Sequence, residues 1–308
     1  MNLDTAVLSE KKIRSAHFSA ACLCALVVCT TFDPLKQWLS FSNTSVETSD
    51  FWIIPLISLW LLFSRRGTFF DPAEVRPAYW ALPIVGLGVL IANRTYTPMV
   101  QIPTLPPLGV LIALIGCFLT CYGWRISWRA RFPLLFAVFA VPIPEALLNA
   151  TVSWLQHGSA IVVQSLLWLL HVDFIREGLR FEFPDFAIEI ATECSGIRSS
   201  FALVVLTFLI AEAALKNWWN RLLLVIAVIP LVLIKNGIRI VTLTMLAIKV
   251  NPSYLDGPLH HRGGFVFFGI ALAIEGVLCW LLVMSETRRV TQKPERVIER
   301  AAALITRR

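Results

Sequence analysis

The sequence predicts an all-α polytopic membrane protein with about eight transmembrane helices. Hydrophobic residues make up 57% of the 308 residues and charged residues only 15%, and the mean hydropathy is +0.71. A soluble domain is typically about 45–50% apolar and about 25% charged. The apolar residues recur in runs along the whole chain, which indicates many spans rather than one anchor.

Eight apolar runs are candidate spans. They are residues 15–33, 51–64, 78–93, 107–123, 132–149, 199–215, 221–242 and 264–284. Several are shorter than the roughly 20 residues that a helix needs to cross a bilayer core. We expect those to use flanking residues or a locally thinned bilayer.

Basic residues orient these spans, because loops on the cytoplasmic side are enriched in Lys and Arg. With the N-terminus inside, most of the 27 basic residues fall in inner segments. They are Lys11, Lys12, Arg14, Arg65, Arg66, Arg76, Arg125, Arg129, Arg131, Lys216, Arg221, Arg288, Arg289, Lys293, Arg296, Arg300, Arg307 and Arg308. Residues 150–198 and 243–263 then face outside. The chain divides into a cytoplasmic N-terminus (1–14), a membrane domain (15–285) and a basic cytoplasmic tail (286–308).

Two outer segments lack the pattern of a simple span. Residues 152–171 are apolar but carry Gln156, His157, Ser159, Gln164 and Ser165, which is typical of a helix in the membrane interface. Apolar and polar residues alternate in 179–191 on both sides of Pro184-Asp185, which predicts a small β-hairpin before Cys194.

The net charge of +7 does not indicate nucleic-acid binding, because the basic residues lie in short loops between spans. Six of the seven cysteines lie within apolar runs, where cysteine behaves as a small hydrophobic residue. They are Cys22, Cys24, Cys29, Cys117, Cys121 and Cys279.

Cys194 differs from the others because it stands in polar sequence directly before an apolar helix. A thiol at a helix N-terminus meets unpaired N–H groups and the positive end of the helix dipole, and both favour the nucleophilic thiolate. Arg198, one turn later, adds positive charge, while Glu193 opposes it. The alternative is an unreactive cysteine at a helix cap.

Two further segments carry polar groups near the outer ends of the last two spans. Asn236 and Arg239 share one helix face at spacing i, i+3, although a lone arginine there can simply extend to the headgroups. His260 and His261 precede the last span, and histidine moves protons near neutral pH. The alternatives for the histidine pair are a weak metal site or simple interface residues. No acidic residue stands at metal-ligand spacing to them, so we expect no metal; we also expect no cofactor. A cysteine, a histidine and an arginine together can perform acyl transfer.

These segments resemble the signature motifs of the exosortase/archaeosortase family, in the order found there. The matching residues are Glu193-Cys194-Ser195-Gly196-Ile197-Arg198, Asn236-Gly237-Ile238-Arg239, and His260 with Gly264 and Phe268, together with Pro142 and Pro144. The resemblance extends over about residues 15–285. It implies that Cys194 is the nucleophile, Arg239 the catalytic arginine and His260 the third catalytic residue. Arg198, Asn236 and His261 are further candidates for substrate binding or support.

The resemblance also implies the substrates. They are exported proteins whose C-terminal tail holds a short motif, a membrane helix and a basic cluster, as in PEP-CTERM proteins. The enzyme would cleave near the motif, form a thioester on Cys194 and transfer the protein to a surface acceptor. It would work in the inner (plasma) membrane, with lipid as its other partner and its active site on the outer, periplasmic face.

Two other functions fit parts of the sequence. A transporter with Arg239 and His260 lining a polar pathway explains the charge within a span but gives Cys194 no role. An intramembrane protease would use the same residues and release its product into water. Replacing Cys194 distinguishes the first from an acyl-transfer enzyme, and identifying the acceptor distinguishes the second.

Overall fold

The computed structural model describes five stretches of the chain. They are residues 3–36, 53–93, 104–191, 196–251 and 264–305. The chain divides into two compact units, residues 1–148 and 149–308.

Helices form most of both units. The first unit contains α1 (Leu3–Thr30), α2 (Ile53–Ser64), α3 (Arg66–Phe69), α4 (Leu82–Asn93), α5 (Leu105–Tyr122), α6 (Trp124–Arg129), α7 (Arg131–Phe136) and the 3₁₀ helices Pro72–Glu74, Tyr79–Ala81 and Ala137–Ala140. The second contains most of α8 (Glu145–Leu169), strands β1 (Ile175–Glu177), β2 (Arg180–Glu182) and β3 (Ala187–Glu189), and helices α9 (Ile197–Ala214), α10 (Trp218–Lys249) and α11 (Gly264–Ile305).

Five of the described helices are long and apolar enough to cross a membrane. They comprise Glu10–Thr30, Leu105–Tyr122, Ile197–Ala214, Trp218–Lys249 and Gly264–Arg288. Each overlaps a span expected from the sequence, and together they make this a multi-pass membrane protein. The apolar helices at Ile53–Ser64 and Tyr79–Asn93 fall short of a full crossing, so the count of eight spans stays a prediction.

The predicted span 132–149 is broken rather than continuous. Helix α7 and the following 3₁₀ turn end at Ala140, Val141 is extended, and α8 begins only at Glu145. Pro142 and Pro144 explain the break, because proline donates no backbone hydrogen bond and disfavours helical geometry in the residue before it. Counting the two flanking segments as one broken span raises the possible crossings from five to six.

The outer segments of the prediction correspond to α8 and a three-stranded antiparallel sheet. Strands β2 and β3 pair across the turn at Pro184-Asp185, with Phe181 opposite Ile188, and β1 adds a strand that the alternation did not indicate. Helix α8 is continuous through residues 152–169, and Ser159, Ala160 and Val163 are buried within the unit. Its place in the membrane interface stays a prediction.

The first unit is held together by close backbone contact between α4 and α5. A Cβ atom on Gly88 would lie 2.4 Å from the Ala113 nitrogen, and one on Gly109 would lie 2.3 Å from the Ala92 nitrogen. Each helix thus presents a small residue, three others and a second small residue at the crossing. This pattern lets two membrane helices approach closely and gain van der Waals packing energy. Such packing is important in a bilayer, because lipid tails are as apolar as the side chains and no hydrophobic effect drives the helices together.

Residues of other segments also make polar and aromatic contacts with the last turn of α5. His17 Nδ1 of α1 lies 2.7 Å from the Tyr122 hydroxyl, and the Phe70 ring packs 4.9 Å from the Tyr122 ring. The backbone of Ala78 donates to the Thr120 carbonyl at 2.8 Å. The segment that follows α3 is therefore tied to the end of α5.

The second unit has its core among α8, α9, α10 and α11. Leu155, Leu203, Val228, Leu231 and Ala271 are buried together there. The sheet adds a second buried cluster with α8 and α10, centred on the fully buried Phe181.

Glu286 of α11 secures the turn between α9 and α10. It accepts hydrogen bonds from the backbone nitrogens of Lys216 (3.1 Å) and Asn217 (3.0 Å) and from Asn220 Nδ2 (2.9 Å). The carboxylate therefore binds the two backbone N–H groups that directly precede α10 and one side chain of its first turn.

Gly88→Val should lower the stability of the purified protein by about 1–3 kcal/mol, because the new side chain overlaps the α5 backbone. Gly86→Val is the matched control, since a Cβ atom at Gly86 of the same helix meets nothing within 4 Å. Thermal unfolding in detergent measures the difference. Equal midpoints for the two variants would contradict the close α4–α5 packing.

Candidate active site

The described motif residues come together at one end of the second unit. Asn236 lies 18 residues into α10, or roughly 27 Å along it at 1.5 Å per residue. Gly196, which directly precedes α9, lies against Asn236. The start of α9 and the Asn236–Arg239 segment of α10 are therefore at the same level.

Gly196 is required by its backbone angle and by its neighbour. Its φ is +68°, a left-handed conformation that side chains rarely adopt. A Cβ atom there would also lie 2.9 Å from Asn236 Oδ1. This glycine allows the chain to turn sharply into α9 two residues after Cys194.

Asn236 joins three helices. It is fully buried, and its Nδ2 donates to Ser159 Oγ of α8 at 3.0 Å while its Oδ1 side faces the start of α9. The next residue, Gly237, allows the close approach to α8, because a Cβ atom on it would lie 2.4 Å from Val162 Cγ1. A buried amide with defined partners fixes helix register, since any shift leaves polar atoms unsatisfied.

Lys235 makes a second connection between α10 and α9. Its Nζ donates to Ser199 Oγ at 2.6 Å, and Ser199 Oγ donates in turn to the Gly196 carbonyl at 3.0 Å. Lys235 is only 6% exposed and forms no ion pair with another described residue. A buried ammonium held by a hydroxyl gives this end of the unit a positive charge.

Arg239 and Arg198 add to this positive charge. Arg239 is half-buried, one helical turn after Lys235 and on the same face of α10. Arg198 is exposed in the first turn of α9. Two cations beside a helix N-terminus favour anionic species, such as a thiolate or the oxyanion of an acyl-transfer intermediate.

Other contacts bring described residues that flank the two remaining motif segments to the same end. Gln156 Nε2 of α8 donates to the Ile190 carbonyl at 2.8 Å, which anchors the chain just before Cys194. Helix α11 runs antiparallel to α10, since Ala271 packs with Leu231 whereas Cys279 packs with Leu224. The start of α11 therefore lies towards the Asn236 end.

Three of the six expected site residues are described: Arg198, Asn236 and Arg239. Cys194, His260 and His261 lie outside the described residues, so their side-chain geometry stays a prediction. In the described part of the chain, no group of three His, Cys, Asp or Glu side chains is arranged to hold a metal ion.

Lys235, Ser159 and Ser199 were not among the site residues predicted from the sequence. A charged residue within an apolar helix is an available signal for Lys235. Ser159 looked like part of an interfacial polar face, whereas it is buried and bonds to Asn236. Its partner is 77 residues away in the chain, which no local pattern indicates.

A comparison with protein-family models finds a match to the family described as Transmembrane exosortase (Exosortase_EpsH), over residues 38–275. No curated protein and no solved structure matches the chain. The matched region covers well over half of the chain. It also contains Gly196, Lys235, Asn236 and Arg239, the residues that meet at this end of the second unit. The chain therefore belongs to the transmembrane exosortase family.

Proposed function

We propose that this protein is a membrane-embedded cysteine transpeptidase that cleaves the C-terminal sorting tail of exported proteins and transfers them to a surface acceptor. Exosortases are, in general, cysteine transpeptidases that act in protein sorting, so family membership supports the reaction class. The observation that carries the proposal is the positively charged junction of Gly196, Lys235 and Asn236, two residues from Cys194 in the chain.

Cys194 is the proposed nucleophile. Its thiolate attacks the carbonyl carbon of the scissile peptide, and the guanidinium of Arg239 stabilises the oxyanion that develops. The C–N bond then breaks, His260 gives a proton to the leaving amine, and the upstream part of the substrate stays on Cys194 as a thioester.

The second half of the reaction resolves the thioester. His260, now neutral, removes a proton from the acceptor nucleophile, which attacks the thioester carbonyl and releases the Cys194 thiolate. A surface acceptor gives transfer, whereas water gives hydrolysis. Arg198 supports the negative charge at the helix start, Asn236 holds that start in register, and His261 is a supporting residue.

The proposed substrates are exported proteins with a short motif, a membrane helix and a basic cluster at the C-terminus. The sorting domain would comprise residues 15–285, between the cytoplasmic segments 1–14 and 286–308. The active site would open on the outer, periplasmic face of the inner membrane. The basic residues support this orientation, because the positive-inside rule assigns the three connections and two terminal segments that carry most of them to the cytoplasmic side.

Cys194→Ala should leave a co-expressed, tagged substrate at full length, because no thioester can form. Cys194→Ser should retain little activity, since an unactivated hydroxyl is a much weaker nucleophile at neutral pH. Immunoblotting of the tail-tagged substrate measures cleavage, and mass spectrometry detects a hydroxylamine-sensitive adduct on the wild-type enzyme. Cys279→Ala, a buried cysteine of α11, is the control. Normal cleavage by Cys194→Ala would refute the enzyme and favour the transporter.

His260→Ala should slow substrate turnover by about 100-fold or more, as expected for the loss of a general acid–base group. His261→Ala should have a milder effect and is the matched control at the neighbouring position. The same cleavage assay measures both. If His260 acts mainly on the acceptor, its variant accumulates the thioester. Equal activity of the two variants would contradict the assignment of His260.

Arg239→Lys should be nearly as inactive as Arg239→Ala, with a loss of about 100-fold in cleavage rate. The guanidinium offers a planar set of donors, whereas ammonium is a hydrated point charge. Arg221→Lys is the control on the same helix, where Arg221 bonds to the Leu215 carbonyl at 2.8 Å. Cleavage by Arg239→Lys close to the wild-type rate would show that charge alone is sufficient.

A further inference from the structure

The first unit contains a large apolar cavity that the proposed reaction does not use. Its volume is about 650 Å³, within the roughly 300–1,000 Å³ typical of ligand sites. Helices α1, α2, α5 and α7 contribute most of its wall, mainly through leucine, phenylalanine and alanine side chains. The Ser58 hydroxyl on this wall donates to the Pro133 carbonyl at 2.9 Å and so is already paired.

Polar groups of the lining concentrate at one end. Arg66, His17 and Tyr122 line the cavity, with His17 and Tyr122 bonded to each other and Phe70 packed against both rings. The guanidinium of Arg66 stacks over the Phe63 ring, with its Cζ 4.6 Å from the ring centre. Arg66 forms no ion pair among the described residues, and no carboxylate is among the lining residues.

The apolar part of the cavity matches one leaflet of a bilayer in length. It extends along α5 from Tyr122 back to Leu111, which is eleven residues or roughly 16 Å of helix. That is about half of the roughly 30 Å hydrocarbon core. By the charge distribution of the sequence, the Arg66 end is the cytoplasmic end, where anionic lipids attract basic residues.

A smaller cavity on another face of α1 is basic at the same end. Its volume is about 420 Å³, and Lys11, Lys12, Ser15 and Tyr79 are among its lining residues. Lys11 and Lys12 form no ion pair with the described carboxylates. Basic side chains therefore lie on two sides of the cytoplasmic end of α1, with Lys11 and Lys12 on one and Arg66 of α3 on the other, and they attract anionic headgroups to this surface.

We propose that the large cavity binds a phospholipid of the cytoplasmic leaflet, with one acyl chain between α1, α2 and α5 and its anionic headgroup on Arg66. The Arg66 guanidinium, stacked on an aromatic ring, lies at the rim of the cavity, and an apolar channel lies behind it. Together these two features match an amphiphile with one negatively charged headgroup. Neither feature alone selects that ligand. This site is independent of Cys194 chemistry.

The test uses the full-length protein purified in detergent, with phosphatidylglycerol and phosphatidylcholine of identical chains as probes. Native mass spectrometry measures how much of each lipid stays bound. We expect preferential retention of phosphatidylglycerol, and a roughly five-fold weaker retention in Arg66→Gln. Arg125→Gln is the matched control, because Arg125 is an exposed arginine of the same unit that does not line the cavity. It should behave as wild type.

Two further experiments distinguish the contribution of the headgroup to lipid binding from that of the acyl chain. Leu114→Trp fills the apolar wall and should reduce retention of both lipids, and thermal unfolding in lipid-free detergent checks that each variant is folded. Glycerol 3-phosphate should not displace the bound lipid, since it lacks the chain. Equal retention of the two lipids, equal loss in Arg66→Gln and Arg125→Gln, or displacement by glycerol 3-phosphate would each overturn the proposal.

Discussion

The arrangement of the second unit depends on one buried amide. Asn236 lies where α8, the start of α9 and α10 meet, and it bonds to Ser159 while facing Gly196. In an apolar environment such an amide has few other partners, so its position fixes the register of α10 against both neighbours. The glycines at 196 and 237 complete the junction, because a side chain at either position would separate the helices.

This junction also determines where positive charge is placed. Lys235 and Arg239 flank Asn236 on the face of α10 directed towards the start of α9, and Lys235 reaches across to Ser199. Cations within an apolar helix are costly, and proteins usually retain them at functional sites. Apolar side chains would pack at this position at a lower free-energy cost. The proposed chemistry therefore explains the two cations better than a contribution to stability does.

The first unit is held together by a different principle. Apolar side chains are solvated equally well by lipid tails and by protein, so burying large residues gives membrane helices little free energy. Helices α4 and α5 instead associate through close backbone approach at Gly88 and Gly109. Tight packing at that crossing contrasts with the open space between α1, α2 and α5. The same unit thus combines a closely packed helix pair with an apolar cavity of about 650 Å³.

Composition and local pattern were sufficient to predict a multi-pass helical membrane protein, and the motif residues were sufficient to indicate its family. These properties depend on apolar run length and on adjacent residues, both of which are local. The alternation around Pro184-Asp185 likewise predicted paired strands there. Only the tertiary structure decided that Ser159 and Ser199 are partners of Asn236 and Lys235, since those residues are 77 and 36 positions apart in the chain. It also decided that Pro142 and Pro144 interrupt a predicted span, and that Gly88 and Gly109 meet. Helix contacts between distant segments depend on three-dimensional packing, which a hydropathy pattern does not encode.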